Sequence, residues 1–183
     1  AKTVNLGIMY GMGKSKLAGV LDISEAEATK LLEVYHEKVP FVKGIADSAM
    51  NHAQKEGVIR TWLGRKCRFD MYEPKSFGFN KALPLKEALQ QYGGKGMIRR
   101  AFTYKALNKL IQGSSADQTK KAMVDCYNEG LVPMLTVHDE LCFNIESEEQ
   151  ATRVVEIMET CVEDLNIPFK VDAEMGKNWG EVG

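Results

Sequence analysis

The sequence predicts an α+β fold: a helix-rich N-terminal portion leads into a small antiparallel sheet with packed helices. Three observations carry that expectation. Apolar residues recur at helical spacing, bounded by capping signals, over the first third of the 183 residues. A basic stretch with a glycine turn then reads as a β-hairpin. After Gly130 the period changes, and two short apolar runs flank a polar tripeptide.

Taken in order, residues 1–12 read as the end of a helix broken by Gly11 and Gly13. Ser24 with Glu27 forms a capping box ahead of Ala28, Leu31, Leu32 and Tyr35, which predicts a helix over about 25–38. Pro40 suits the first position of the next helix, about 40–56, and Gly57 stops it. Val58 to Trp62 and Arg65 to Phe69, joined through Gly64, form the basic hairpin. Residues 70–96, with Pro74, Pro84 and four glycines, read as an irregular insertion holding one short helix near about 85–92. From 98 to about 128 the pattern is helical, ended by Asn128 and Gly130. Leu131–Val137 and Leu141–Ile145 are strand-length runs around His138-Asp139-Glu140, a hairpin with its charges at the tip. Ser147 with Gln150 caps a helix through about 164, and Phe169–Ala173 is expected as a last strand.

The average composition, 44% hydrophobic and 27% charged, excludes disordered and collagen-like classes. No apolar run reaches about 18 residues, so no membrane-spanning helix and no membrane partner are expected. The first residues lack a signal peptide's apolar core, and the chain opens without Met inside a helical pattern, as a piece of a longer protein would. Cys67, Cys126, Cys142 and Cys161 form no C-x-x-C pair, which predicts reduced thiols and a cytoplasmic setting.

A net charge of −1 hides a strong asymmetry. Residues 58–121 hold fourteen basic and four acidic side chains, whereas residues 122–183 hold three basic and fourteen acidic. An excess of ten positive charges is what a polyanion-binding surface requires, because each cation set on a phosphate releases condensed counterions. A solvated surface balanced by the acidic third explains the same counts.

Candidate chemistry concentrates in three places. Asp139 and Glu140 are adjacent carboxylates at a hairpin tip; a hard cation such as Mg²⁺ takes one or two of these and draws other oxygens from substrate phosphates. Asp is also an ordinary turn residue, so the dipeptide alone is weak. Lys2, Leu6 and Tyr10 share one helical face, placing a cation, an apolar side chain and a ring where a nucleotide could lie, although half a core stripe has the same spacing. Asn108 and Gln112, four apart, can aim two amides at the minor-groove acceptors of a duplex, with slim Gly113, Ser114, Ser115 and Ala116 beside them. Gly13-Lys14-Ser15 imitates the end of a phosphate-binding loop, but the preceding glycine it needs is Ile8, so that reading is rejected.

Together these segments resemble the motifs of family A DNA polymerases. Lys2 to Met12 (KTVNLGIMYGM) is similar to that family's K-x-x-N-F-G-x-x-Y-G-M helix, and Thr61 to Lys66 to its T-x-x-G-R-[RK] hairpin. Asn108 to Asp117 is similar to its N-x-x-x-Q-G-x-x-A-D helix, Val137 to Leu141 to its V-H-D-E hairpin, and Glu174 to Trp179 to its closing G-x-x-W. Order and approximate spacing agree along essentially the whole chain.

The resemblance implies a fingers portion over 1–97 and a palm portion over 98–183. It implies a DNA-directed DNA polymerase that adds deoxynucleotides to a primer end by two-metal nucleotidyl transfer, with Mg²⁺ as cofactor and primer–template DNA and deoxynucleoside triphosphates as partners. A bacterial or phage-infected cytoplasm is the setting it suggests, and no residue pattern names a processivity partner. Lys2 would contact the incoming phosphates, Leu6 the sugar, and Tyr10 the templating position. Asp139 would hold metal, with Glu140 and His138 near the primer end. Asn108 and Gln112 would touch the minor groove. Independently of the resemblance, the basic excess over residues 58–121 makes Arg99 and Arg100 candidates to meet DNA phosphates. Two departures stand out. Leu6 replaces the usual Phe or Tyr, and the sequence contains no D-Y-S-x-x-E-x-R segment carrying the family's other catalytic aspartate. Two-metal transfer needs both carboxylate motifs, so the 183 residues are expected to be inactive alone. A non-catalytic nucleic-acid-binding module retaining the fold is the alternative reading; a D-Y-S-x-x-E segment in the parent reading frame separates the two.

Overall fold

A computed structural model describes residues 2–76, 78, 80–162 and 167–182, with Lys2 and Thr3 as backbone only. It is α+β, as expected, and divides into two compact units, Ala1–Gly113 and Ser114–Gly183.

The first unit opens with α1 (Lys2–Met9) and α2 (Lys14–Leu21), separated by Gly11 in the left-handed region. Ile8, Leu17, Ala18 and Ala28 bury together, with Val4, Met12, Ile23, Leu32 and Tyr35 packed around them. The capping box forms at α3 (Glu25–Lys38): Ser24 Oγ accepts from the Glu27 N–H, and the Glu27 carboxylate accepts from the Ser24 N–H at 2.9 Å. The Ser24 hydroxyl also donates to that carboxylate at 2.8 Å, and this bond together with the one from the Ser24 N–H holds the Glu27 carboxyl below its ordinary range. Pro40 starts α4 (Pro40–Glu56), and Gly57 ends it at φ 71°. β1 (Val58–Arg60) and β2 (Lys66–Arg68) pair antiparallel with Ile59 opposite Cys67. Ala53, Ile59, Phe69 and Ala106 form the core beneath that hairpin.

Residues 70–96 are more regular than their composition suggests. β3 (Met71–Pro74) lies between β4 (Leu83–Pro84) and β5 (Ile98–Arg100), and α5 (Leu85–Tyr92) buries Ala88 against Leu83 and Ile98. Ile98 to Arg100 were expected to open a helix; instead they pair with Pro74 to Tyr72. Segments this short carry too few alternations to show their period, and their partners lie more than twenty residues away. The helix α2 was not expected either. Its N-cap, Gly13, offers no side-chain bond, so no capping signal marks its start.

The long helix α6 (Ala106–Asn128) contains the division between the units. In the second unit Gly130, at φ 80°, turns the chain out of α6, and the Leu131 N–H caps the Cys126 carbonyl at 2.9 Å. β6 (Pro133–Val137) and β7 (Glu140–Phe143) form an antiparallel hairpin. Ser147 caps α7 (Glu148–Thr160), and Gln150 accepts from the Glu146 N–H at 2.8 Å. Cys126, Val154 and Ile157 make the core with Leu131, Phe143, Ile145 and Met158. Burial lifts the Cys126 thiol to about 11, so it stays protonated packing material. The end expected for the last helix, about 164, lies outside the described residues. Among the described residues Phe169 to Ala173 pair with no strand, contrary to expectation; the Val171 N–H instead donates to the Glu159 carboxylate at 3.1 Å. Alternation gives a segment a strand-like look, but a ladder also needs an open strand edge beside it.

Candidate polymerase site

The tip of the β6–β7 hairpin presents the carboxylates. Val137 pairs with Glu140, which leaves His138 and Asp139 as a two-residue loop. His138 sits at φ 55°, a left-handed conformation unusual for a residue with a Cβ. His138, Asp139 and Glu140 are all exposed. The carboxylate oxygens of Asp139 and Glu140 are the donor chemistry Mg²⁺ prefers, and one or two protein carboxylates are a normal share of such a site. Among the described residues no third His, Cys, Asp or Glu joins them in a metal-binding group. The two carboxylates are of the donor type a hard cation takes, but by themselves they do not make up a metal site.

Leu6 and Tyr10 lie one helical turn apart in the first unit, Leu6 exposed and Tyr10 half-buried, while Ile8 turns into the core. The Lys2 side chain lies outside the described residues. The Tyr35 hydroxyl donates to Asn5 Oδ1 at 2.7 Å and ties this helix to α3.

The basic hairpin docks on the start of α6. The Arg65 N–H donates to Thr61 Oγ1 at 3.0 Å, closing the turn, and the Arg65 guanidinium donates to the Gly113 carbonyl at 2.8 Å. A Cβ on Gly113 would come within 2.7 Å of the Thr61 methyl, so the close approach depends on glycine. Arg60, Arg65, Lys66 and Arg68 are exposed around this junction, and the Lys109 ammonium lies 5.5 Å from the centre of the Phe69 ring. On α6, Gln112 is exposed and Asn108 is half-buried. Asn108 Oδ1 is buried without a hydrogen-bond partner among the described residues.

Arg99 and Arg100, adjacent in sequence, have different surroundings. Arg99 is exposed and paired with Glu73 opposite it across the sheet, at 2.8 Å. Arg100 turns inward: it donates to the Phe69 carbonyl at 2.9 Å, the Tyr72 hydroxyl at 2.8 Å and the Gln54 carbonyl at 3.2 Å, with its charge 5.2 Å from the centre of the Tyr72 ring. Its fork braces α4, β3 and β5 together. Strand alternation separates the two side chains, and it becomes visible only once Ile98 to Arg100 are known to be a strand. Gln54, which no sequence signal singled out, bonds both the Arg100 N–H and its carbonyl.

The Lys2, Leu6, Tyr10, Asn108, Gln112, Arg99 and Arg100 positions thus belong to the first unit, and His138, Asp139 and Glu140 to the second. No described helix is long and apolar enough to cross a membrane.

Known proteins resemble the chain along almost its whole length. The chain is 32% identical to a DNA-directed DNA polymerase of Pseudomonas phage M6, across 98% of this chain and 29% of that protein. It is 34% identical to DNA polymerase I of Bacillus caldotenax, across 98% of this chain and 19% of the relative. Among solved structures it resembles the POL domain of Pol1 from M. smegmatis in complex with DNA primer-template and dNTP, with a TM-score of 0.67 and 30% identity, covering 91% of this chain and 28% of that one. The chain thus spans less than a third of the length of these proteins. The family model for DNA polymerase family A matches residues 1–181: the chain belongs to DNA polymerase family A.

Proposed function

We propose that these residues are the fingers (1–97) and palm (98–183) portions of a DNA-directed DNA polymerase that extends a primer with deoxynucleotides. The observation that carries the reading is the hairpin tip, two exposed carboxylates on a rigid two-stranded support, in a chain that the family matches from end to end. Leu6 and Tyr10 offer the incoming nucleotide an apolar and an aromatic surface, and Lys2 places a cation for its phosphates. Asn108 and Gln112, one helical turn apart on α6, turn their amides toward the primer–template minor groove. Arg60, Arg65, Lys66 and Arg68 hold the duplex backbone, as phosphate contacts require. His138 and Glu140 orient the primer end beside Asp139. Bound Mg²⁺, held in part by Asp139, would supply charge neutralisation for phosphoryl transfer.

The 183 residues contain one of the two carboxylate motifs such transfer requires, so they do not extend a primer by themselves. The test is primer extension by a polypeptide that joins them to a D-Y-S-x-x-E-x-R segment. Extension that Asp139→Ala abolishes, with DNA binding retained, is expected. Unchanged extension by the Asp139→Ala protein refutes the hairpin assignment.

A further inference from the structure

Phe102 is the second of three described non-glycine residues with positive φ, at 61°, and it lies where no turn motif was expected. Such a conformation persists only where the surroundings over-determine it, and functional sites are where it collects. The surroundings here are specific. The Gln54 amide donates to the Arg100 carbonyl at 2.7 Å and to Thr103 Oγ1 at 2.8 Å, while its oxygen accepts from the Arg100 N–H. One side chain therefore holds the Arg100 backbone before Phe102 and the Thr103 hydroxyl after it. Thr103 is buried, yet the Phe102 ring is 41% exposed and Tyr104 is 61% exposed. The fold holds this turn rigidly and spends it on presenting two rings to solvent.

The rings line a cavity of about 290 Å³ with Met50, Gln54, Glu73 and Arg99. The Lys105 ammonium lies 5.3 Å from the Phe102 ring centre and 5.6 Å from that of Tyr104. Arg99 and Glu73 set a donor and an acceptor on the wall. Aromatic faces beside cations, in a stretch with ten excess positive charges, form the combination that holds unpaired bases: the ring stacks on the base and the cation meets its phosphate. The volume suits one flat heterocycle and is too small for a duplex.

We propose that Phe102 and Tyr104, with Lys105 and Arg99, form a stacking site for a single unpaired nucleobase of a single-stranded nucleic acid. The proposal rests on the reading of the chain as a DNA-binding polymerase portion, and deepens it by naming a single-strand subsite distinct from the minor-groove contacts of Asn108 and Gln112.

The test uses a single-stranded oligonucleotide carrying 2-aminopurine, and a matched duplex, against the wild-type chain, Phe102→Gly and Tyr104→Ala. Gly suits the left-handed backbone, so Phe102→Gly removes the ring while retaining or raising the melting temperature. Stacking predicts fluorescence quenching by the wild type and a roughly tenfold loss of single-strand affinity in each variant, with duplex affinity and salt slope unchanged. Lys105→Ala should instead lower the salt slope by about one. Unaltered single-strand affinity in both ring variants, or an equal loss for the duplex, overturns the stacking site while leaving the DNA reading intact. Failure of the wild type to bind either nucleic acid overturns the DNA reading and the subsite with it.

Discussion

Substituting Gly57 by Ala strikes the point on which the basic half of the first unit is braced. Gly57 closes α4 at φ 71°, is buried, and accepts from the Phe69 N–H at 2.8 Å. A Cβ there would lie 2.6 Å from each terminal nitrogen of the Arg100 guanidinium. The left-handed backbone alone costs an L-residue roughly 1–2 kcal/mol. Displacing the guanidinium sacrifices one or two of its bonds to Phe69, Tyr72 and Gln54, each worth about 1.5–3 kcal/mol for a charged donor, with part recovered from water. The sum is about 3–5 kcal/mol, a large share of the ~5–15 kcal/mol by which domains are stable. Urea unfolding followed by circular dichroism should show the midpoint falling by about 1–3 M. The decisive measurement is the double-mutant cycle. In an Arg100→Ala background the clash is gone, so Gly57→Ala should cost only the backbone share, roughly 1–2 kcal/mol. Equal costs in the two backgrounds would refute the brace.

Primer–template duplex should bind with affinity that falls steeply with salt, and charge reversal at Arg68 should weaken it more than reversal at Lys170 in the acidic third; salt-independent binding in a titration would contradict the phosphate-dominated interface. In a complete polymerase, Leu6→Phe should change the preference between deoxy- and dideoxynucleotides in competition assays, and an unchanged ratio would remove Leu6 from the sugar. Acid should destabilise the fold through Glu27, Glu129, Glu149 and Glu159, whose carboxyls are all held below their ordinary range: Glu27 by Ser24, Glu129 by Arg153, Glu149 by Ser147 and Glu159 by the Val171 N–H. A depressed carboxyl stabilises above its unfolded value and loses that contribution as pH falls through the folded one, so stability should decline below about pH 4.3, read as a falling melting temperature. Ser24→Ala, which removes the Glu27 partner, should flatten part of that decline.

What the sequence determined by itself was whatever rests on neighbouring residues. The Ser24–Glu27 box, Pro40, Gly57 and Gly64 mark α3, α4 and the basic hairpin, because caps and turns are local chemistry that a window of a few residues contains. The β6–β7 hairpin and its carboxylate tip were legible for the same reason. Tertiary structure decided the rest. β3, β4 and β5 exist because segments more than ten residues apart supply each other's hydrogen bonds, whereas among the described residues no strand pairs with Phe169 to Ala173. Strand pairing sent Arg99 to the surface and Arg100 inward. Two arginines identical in local sequence chemistry thus acquired different work, since the environment that desolvates and pairs a guanidinium is assembled from Gln54, Phe69 and Tyr72, residues that chain order does not bring together.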